Sequence, residues 1–258
     1  MIDLSVSIVS HNSREDLELL MPSLKKALAA ISSEILLVDN RSIDGSADFI
    51  RANYPEVKIT ENSVRRGYGA NHNKNLDRVR GKYVLFMNSD MEILPDAMDL
   101  LCGFMDSNKT VGICCPNVLN PDGSLQYLNK KYPNLFDLML RRFAKGPVKS
   151  VFKRRMDAYE LRETGYGESV SVPFVSGCFM FCRTGVVHQV KGFDERYFLY
   201  FEDADLCRKV QKFATTVSCP EAKVVHRWER SAHKKFKWFV VFLQSAVRYF
   251  NKWGYRFY

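Results

Sequence analysis

The chain has 258 residues, 46% of them hydrophobic, and a formal net charge of +9. That length and apolar content suffice for one large domain with a sizeable core, which excludes an intrinsically disordered chain. Seven scattered cysteines without a CxxC pair, no secretory signal pattern and no apolar run of membrane-spanning length favour a cytoplasmic protein in a reducing compartment.

Strands and helices alternate along the first half of the sequence. Apolar runs at 4–10, 34–38 and 57–60 predict three strands, the third at an edge of the sheet, with helical patterns between them. The run at 82–88 is apolar without alternation, which indicates a strand buried on both faces. This βαβαβαβ order predicts an α/β fold with a doubly wound, mostly parallel sheet.

An acid directly follows two of these strands. Asp39 ends the second strand and Asp90 follows the fourth, so both are expected at the carboxyl edge, where open α/β sheets bind ligands. One could hydrogen-bond a base or ribose while the other holds a divalent cation against a diphosphate. A helix cap is the simpler explanation of either acid alone. The absence of GxGxxG and Walker A sequences disfavours dinucleotide and ATP sites of those types.

The pattern changes in the second half. A helix at 95–106, a strand at 111–119 and a turn at 120–123 precede a segment at 132–167 whose periodicity fades, which predicts a loop or short helices. Within it, 141–155 carries seven basic residues and no acid, either as a solvated surface or beside an anionic ligand. A strand pair or one bent strand is predicted at 170–182, with something approaching the backbone closely at Gly177. Two further strands are predicted at 215–219 and 223–225.

A cluster of acids stands beside aromatic residues at 192–208. A helix cap explains Asp203 or Asp205, but not these two together with Glu202. Carboxylates crowded by aromatic rings are partly desolvated, which raises their pKa and suits a general base. No spacing in the chain supports a Ser/His/Asp triad.

The C-terminal segment is basic and aromatic. His226 follows a predicted strand, and such a histidine is more often a packed residue than a ligand. Residues 227–258 carry eight basic residues against one acid, and 231–258 is predicted to be an amphipathic helix. Its pattern fits an interfacial membrane helix and a core-packing helix with a solvated basic face equally well.

Several motifs together resemble the inverting glycosyltransferases of family 2, which have the GT-A fold, and among them the rhamnosyltransferase-like members. The motifs are VDNRSIDGS (38–46), GANHNKN (69–75), FMNSD (86–90), NPDGSLQ (120–126), FVSGCFMFCR (174–183), GFDERYFLYFEDADLCRK (192–209) and HRWERS (226–231). The resemblance implies a nucleotide-sugar-binding half at 1–119 and an acceptor-binding, catalytic half of the same domain at 120–230. The basic aromatic helix at 231–258 follows them.

The resemblance also implies roles for particular residues. Asp203 would be the general base with Glu202 beside it, and Asp90 would bind Mg2+ or Mn2+ with His226 near the metal and the diphosphate. Asp39 would hold the donor's nucleobase. The other donor-binding residues would be Asn40, Ser42, Asp44, Asn71, Asn75 and Ser89. Many GT-A enzymes have Asp-X-Asp where this chain has Asn88-Ser89-Asp90, so we expect weak metal binding in the absence of donor.

The resulting hypothesis is a metal-dependent transferase in cell-surface polysaccharide synthesis. It would move a sugar from a nucleoside-diphosphate sugar, with dTDP-L-rhamnose as the candidate donor, to a saccharide or polyprenyl-diphosphate-linked acceptor. We expect it on the inner face of the cell membrane, attached peripherally through 231–258, and without nucleic acid. The alternatives are a sugar-nucleotide pyrophosphorylase, for which a Gly- and Lys-rich phosphate loop is missing, and a nucleic-acid binder that uses the basic segments.

Overall fold

The computed structural model describes residues 2–164, 166–227 and 236–257. Its strands are β1 (Leu4–Ser10), β2 (Ser33–Asp39), β3 (Lys58–Glu61), β4 (Tyr83–Asn88), β5 (Met91–Ile93), β6 (Val111–Leu119), β7 (Phe179–Arg183) and β8 (Thr215–His226). Its helices are α1 (Arg14–Ala27), α2 (Ser46–Asn53), α3 (Tyr68–Leu76), α4 (Ala97–Ser107), α5 (Leu135–Phe143), α6 (Gly146–Val151), α7 (Lys153–Tyr159), α8 (Thr184–Gln189), α9 (Glu202–Val210) and α10 (Phe236–Trp253).

The described strands form one sheet in the order β3-β2-β1-β4-β7-β6-β8-β5. Strands β1 to β4 are mutually parallel where they pair, β7 runs antiparallel between β4 and β6, and β5 is antiparallel to β8. The predicted α/β fold with a doubly wound, mostly parallel sheet is therefore confirmed, as is the edge position of β3.

The register of the parallel strands determines where the strand-end acids lie. Val9 of β1 pairs with Val38 on one side and with Asn88 on the other, and Ser10 pairs with Asp39. The ends of β2 and β4 therefore flank β1 at the same edge of the sheet, about 10 Å apart across two strand spacings. This places Asp39 and the residues after Asn88 along one carboxyl edge, as predicted.

The core occupies both faces of the sheet. Leu17, Leu20 and Leu24 of α1 pack with α4 against one face, while α8 and α9 cover the other through residues such as Val187 and Leu206. Every residue of β4 from Tyr83 to Met87 is buried, which confirms the prediction from its unbroken apolar run. The strand is rigidly held, so the polar residues that follow it have a fixed position.

Several predicted boundaries in the second half are wrong. The two strands predicted at 215–225 are one strand, β8, whose register against β6 shifts between Pro116 and Asn117 at an irregularity of the β-bulge kind. In the segment predicted at 170–182, the single strand β7 begins only at Phe179, and isolated bridges at Ser171 and Phe174 precede it. The aperiodic segment folds into the short helices α5, α6 and α7.

Helix α10 has two different apolar faces. Ala246, Tyr249 and Phe250 are buried against Phe201 and Ala204, so the core-packing interpretation holds for this face. A second stripe stays exposed and consists of Phe236, Val240, Leu243 and Val247. Residues 231–235, the predicted start of the helix, lie outside the described residues. Within the described ranges no helix has the length and apolar content to cross a membrane.

Candidate active site

Asp39 presents one unused carboxylate oxygen at the carboxyl edge of the sheet. Its Oδ1 accepts a hydrogen bond from the backbone N–H of Ser42 at 2.8 Å, which fixes the carboxylate at the end of β2. Its Oδ2 is buried and has no hydrogen-bond partner in the described part of the chain. A buried acceptor without a donor is costly, so this position suits a ligand that supplies an N–H group.

The side chains of Asn40 and Asn71 form hydrogen bonds within the fold beside Asp39. The Oδ1 atom of Asn40 accepts hydrogen bonds from the backbone N–H of Arg66 at 2.8 Å and from Asn62 Nδ2 at 3.1 Å. Asn62 also donates to Asn71 Oδ1 at 2.7 Å. The amides thereby fasten the loop at 62–66 and the start of α3 to the end of β2.

Ser42 and Asp44 connect the turn after β2 to the start of α1. Ser42 Oγ accepts from the backbone N–H of Asn12 at 2.9 Å, and Asp44 Oδ2 accepts from that of Arg14 at 2.9 Å. Burial raises the pKa of Asp44, but hydrogen bonds from Ser46 and the Arg14 backbone outweigh it and lower the pKa overall. Both side chains therefore shape the turn that carries Asp39.

Asn75 does not lie at this edge. It is fully buried, and its Nδ2 donates to Ser7 Oγ at 2.9 Å and to the carbonyl of Leu36 at 3.0 Å. These bonds tie α3 to the middle of β1 and β2. Asn75 Nδ2 is therefore fully used inside the fold, while its Oδ1 has no hydrogen-bond partner among the described residues, and a contact of Asn75 with the nucleotide sugar stays a prediction.

The short pairing of β5 with β8 brings His226 to Asp90. Met91 pairs with His226 across the antiparallel ladder, and His226 Nε2 lies 3.2 Å from Asp90 Oδ1. His226 is buried, Asp90 is partly exposed, and Ser89 is buried between Asp90 and the end of β4. The histidine thus lies at the Asp90 edge, the condition under which a ligand role becomes plausible for it.

Gln126 orients His226. Its Nε2 donates to the backbone carbonyl of His226 at 2.8 Å, which leaves Oε1 facing His226 Nδ1 at 3.1 Å. In this orientation Gln126 Oε1 can accept a hydrogen bond from Nδ1, and Nε2 is directed towards Asp90. Second partners of this kind commonly orient metal-binding histidines. The glutamine was part of a recognised motif, but nothing in the sequence indicated this contact.

The geometry fits a divalent cation bound by few protein ligands. Among the described residues, Asp90 Oδ1 is buried and has the His226 ring beside it but no hydrogen-bond partner, and a carboxylate oxygen with an imidazole nitrogen is a donor set that Mn2+ accepts. No group of three or more His, Cys, Asp or Glu side chains suitable for a metal occurs within the described residues. A cation held here would need further ligands from substrate phosphates and water.

Glu202 and Asp203 begin α9 after a strained turn. Tyr200 and Phe201 both have left-handed backbone angles, with φ of 72° and 68°, which is unusual for bulky residues. The Phe201 ring lies 5.3 Å from the ring of Phe242 and 5.3 Å from that of Tyr249, both on α10. The aromatic contacts with α10 therefore stabilise the turn that presents the two acids.

The two acids differ in their surroundings. Burial raises the pKa of Asp203, but N–H groups of Gly177 and Ala204, at 2.9 and 2.8 Å, and the charge of Lys130 counteract it. Burial and then the charge of Asp203 raise the pKa of Glu202 well above its ordinary value. Glu202 therefore holds a proton more readily, and Asp203 is the member of the pair that carries negative charge.

A two-residue segment joins the acids to the end of β4. The Gly177 N–H donates to Asp203 Oδ2, and the Cys178 carbonyl accepts from the N–H of Asn88 at 3.0 Å. A Cβ at position 177 would lie 3.3 Å from Asp203 Cβ, which confirms the predicted close approach at this glycine. Tyr68, another residue that the sequence did not single out, donates to the Gly177 carbonyl at 2.5 Å. Asp203 is thereby held next to the strand end that carries Asp90.

The chain is similar to known proteins of one enzyme family. Residues 5–189 match the family model described as glycosyl transferase family 2. The chain is 27% identical to the N-acetylglucosaminyl-diphospho-decaprenol L-rhamnosyltransferase of Mycobacterium tuberculosis (strain CDC 1551 / Oshkosh) over 228 residues, 80% of this chain and 72% of that protein. It is 28% identical to rhamnosyltransferase WbbL of Escherichia coli (strain K12) over 196 residues, 71% of this chain and 69% of that protein.

A solved structure shares the fold. The crystal structure of GalNAc-T7 with UDP, GalNAc and Mn2+ superimposes with a TM-score of 0.69 at 17% identity and covers 97% of this chain. This chain spans 48% of the length of that structure. The likeness establishes the GT-A architecture of the sheet and of the elements that surround its carboxyl edge.

Proposed function

Because the chain belongs to glycosyl transferase family 2, it is an inverting glycosyltransferase, and we propose that it moves L-rhamnose from dTDP-L-rhamnose onto a polyprenyl-diphosphate-linked N-acetylglucosamine in cell-surface polysaccharide synthesis. The observation that carries this proposal is the Gly177–Cys178 junction, which holds Asp203 beside the strand end of Asp90. The names of the related rhamnosyltransferases support the choice of donor sugar and acceptor class.

The donor would lie along the carboxyl edge from Asp39 to Asp90. The buried Oδ2 of Asp39 suits the ring N–H of thymine or uracil, which a carboxylate can accept. The diphosphate would lie at Asp90 and His226, which fit Mg2+ or Mn2+ together with the phosphate oxygens. The bound cation would offset the charge that develops on the departing nucleoside diphosphate.

Asp203 would act as the general base in a single displacement. Its carboxylate takes the proton of the acceptor hydroxyl while the oxygen forms a bond to the anomeric carbon of the donor. The bond from that carbon to the diphosphate breaks at the same time, and the leaving group departs with the electron pair. Attack from the face opposite the diphosphate inverts the anomeric centre. Glu202, which holds its proton, stays a neutral neighbour of the base.

The exposed stripe of α10 would contact the membrane surface. Phe236, Val240, Leu243 and Val247 recur at helical spacing on the face that does not pack on the core. Lys237 and Arg248 are exposed beside this stripe, so the helix combines apolar and cationic groups in the manner of interfacial helices. This attachment would bring the active site to a lipid-linked acceptor and corresponds to a cytoplasmic, peripheral location.

A transfer assay with purified protein tests the proposal. The wild type with Mn2+ and dTDP-L-rhamnose is expected to convert a polyprenyl-diphosphate-linked N-acetylglucosamine, whereas the Asp90→Ala, Asp203→Asn double variant should not. Equal transfer by both proteins would refute the proposal. Calorimetry adds an independent check, because we expect Mn2+ to bind weakly alone and more tightly once dTDP is present. Tight Mn2+ binding to the donor-free protein would contradict the two-ligand site.

Flotation with anionic liposomes tests the membrane contact. Replacement of Val240 and Leu243 by Ser should abolish flotation while transfer to a water-soluble acceptor persists. Salt-sensitive binding to single-stranded nucleic acid without flotation would favour the nucleic-acid alternative instead.

A further inference from the structure

Lys130 is a buried cation close to the proposed general base. Its side chain is 8% exposed, and its backbone N–H and C=O pair with Phe174 at 3.2 and 3.1 Å, which fixes its position. Its Nζ lies 5.7 Å from the centroid of the Phe174 ring. In the part of the chain that the structure describes, no carboxylate forms a salt bridge with it and no acceptor receives a hydrogen bond from Nζ. A buried lysine without a partner is costly.

A second cation lies near Lys130. Arg141 of α5 has its guanidinium carbon 5.8 Å from the centroid of the Tyr159 ring, and Tyr159 is hydrogen-bonded through its carbonyl to the N–H of Lys131. Burial first, and then the like charge of Arg141, lower the pKa of Lys130 to about 8. The negative charges of Asp203 and Glu160 act in the opposite direction and raise the pKa of Lys130, but Glu160 already pairs with Arg162 at 2.6 Å. The region therefore has an excess of positive charge.

We propose that Lys130 and Arg141 form an anion subsite beside Asp203 which binds the diphosphate of the lipid-linked acceptor. This inference rests on the proposed function, since in such an acceptor the diphosphate stands on the same sugar whose hydroxyl is attacked. A sugar held with its hydroxyl at Asp203 would leave its diphosphate one ring away from the base, where the subsite would receive it. The charge-assisted bonds would compensate the desolvation of Lys130.

The surface around Arg141 fits the lipid end of such an acceptor. On α5, Met139 and Phe143 are 61% and 63% exposed, so the helix that carries Arg141 also presents apolar groups to solvent. The guanidinium of Arg142 lies 5.0 Å from the ring centroid of Phe239, which joins α5 to α10. The subsite is thereby continuous with the face that we assign to the membrane.

Binding of geranyl diphosphate to the metal-free protein tests the subsite directly. With EDTA present, the donor site lacks its cation, so calorimetry reports the protein's own anion site. Lys130→Met should weaken binding by about tenfold or more, as expected for the loss of one charge-assisted hydrogen bond. Lys131→Met, at the exposed neighbouring position, serves as the matched control and should bind like the wild type, while Lys130→Arg should retain most of the affinity. Equal binding by Lys130→Met and the wild type would overturn the inference.

The kinetics separate this role from an effect on Asp203. With a diphosphate-linked acceptor, Lys130→Met should raise KM about tenfold more than with a neutral alkyl N-acetylglucosaminide, with which the variant loses only what the changed pKa of Asp203 causes. An equal loss of transfer with both acceptors would show that Lys130 acts through the general base Asp203, and this result would overturn the subsite. The failure of the proposed function is distinguishable, because sugar transfer would then be absent in the wild type while the calorimetric comparison would still report on Lys130.

Discussion

The donor edge and the acceptor side of this active site are built in different ways. At the donor edge, Asp39 and Asp90 follow directly from parallel strands, and hydrogen bonds from the backbone of Asn12, Arg14 and Arg66 fasten the loop after β2. On the acceptor side, Asp203 is positioned by Gly177, and the turn before it is held by aromatic residues of α10. The positions of Asp39 and Asp90 follow from the strands that precede them, while the position of Asp203 depends on contacts between distant segments.

This difference predicts which property each substitution changes. Changes at the donor edge should alter the affinity for the nucleoside diphosphate and the metal, because they remove a direct ligand contact. Changes on the acceptor side should lower turnover with little effect on donor affinity, because they displace or remove the base. The five variants below test this division, from the largest expected effect to the smallest.

Asp203→Asn should lower the turnover number by about 10²- to 10⁴-fold, the contribution of a general base. The amide can still accept the Gly177 hydrogen bond, so the fold and the affinity for dTDP with Mn2+ should persist. Steady-state transfer assays and calorimetry measure the two properties. A variant that loses dTDP affinity to the same degree as turnover would break the division between the two halves.

Gln126→Leu should weaken Mn2+ binding in the presence of dTDP by about tenfold to a hundredfold, because His226 loses the partner that orients its ring. Electron paramagnetic resonance of free Mn2+ measures this affinity. A long-range 15N spectrum of the imidazole would show the loss of the Nδ1-protonated tautomer. Gln244→Leu, the same substitution at an exposed site on α10, is the control and should change neither. Unchanged Mn2+ affinity in Gln126→Leu would argue against the positioning role.

Asp39→Ala should raise the dissociation constant of dTDP by about tenfold to a hundredfold, because the thymine ring loses a charged hydrogen-bond acceptor. Turnover at saturating donor should stay near the wild-type value. Asp48→Ala on α2, where the side chain is 83% exposed, provides a matched substitution without a site contact. If Asp39→Ala instead reduced turnover at unchanged affinity, the nucleobase contact would have to be abandoned.

Phe242→Ala should reduce turnover about tenfold while dTDP affinity is retained. Phe242 contacts the rings of Tyr200 and Phe201, so its removal loosens the strained turn before Glu202 and Asp203. Small misplacements of a catalytic group can have effects of this size. Leu243→Ala, at the neighbouring exposed position, should leave turnover to a soluble acceptor unchanged. Equal turnover numbers for Phe242→Ala and Leu243→Ala would show that α10 does not support the turn.

Glu202→Gln should have the smallest effect. Burial and the charge of Asp203 raise the pKa of Glu202 well above its ordinary value, so we expect a protonated side chain, which glutamine resembles. Activity should fall as pH decreases, because Asp203 becomes protonated. Since the pKa of Asp203 is raised, this loss should occur at a higher pH than the ordinary pKa of an aspartate. Both the turnover and this pH profile should survive the substitution. A profile displaced by a full pH unit would mean that Glu202 is ionised.

The sequence predicted the donor edge better than the acceptor side. Parallel strands make the position after each apolar run a point on one edge, so Asp39 and Asp90 could be placed there from the pattern alone. His226 was left open because only the pairing of β5 with β8 brings it to Asp90, and a three-residue strand such as β5 has no clear periodic signal.

The acceptor side was predicted only in part, because its contacts join distant segments. The burial of Lys130 depends on its pairing with Phe174 and on the packing of α5 and α7, within a segment whose periodicity is weak. Asn71 and Asn75 show another limit, because they share a motif although Asn71 is bonded at the carboxyl edge and Asn75 is bonded to the middle of β1 and β2. A motif places residues on an element but does not say which face they occupy.

Calorimetry of dTDP with and without Mn2+, on the wild type, Asp90→Ala and Asp203→Asn, tests the central claim most directly. We predict that Mn2+ increases the dTDP affinity of the wild type and of Asp203→Asn equally, and that Asp90→Ala loses this increase. An undiminished increase in Asp90→Ala, or its loss in Asp203→Asn, would contradict the assignment of the donor to one edge and the base to the other side.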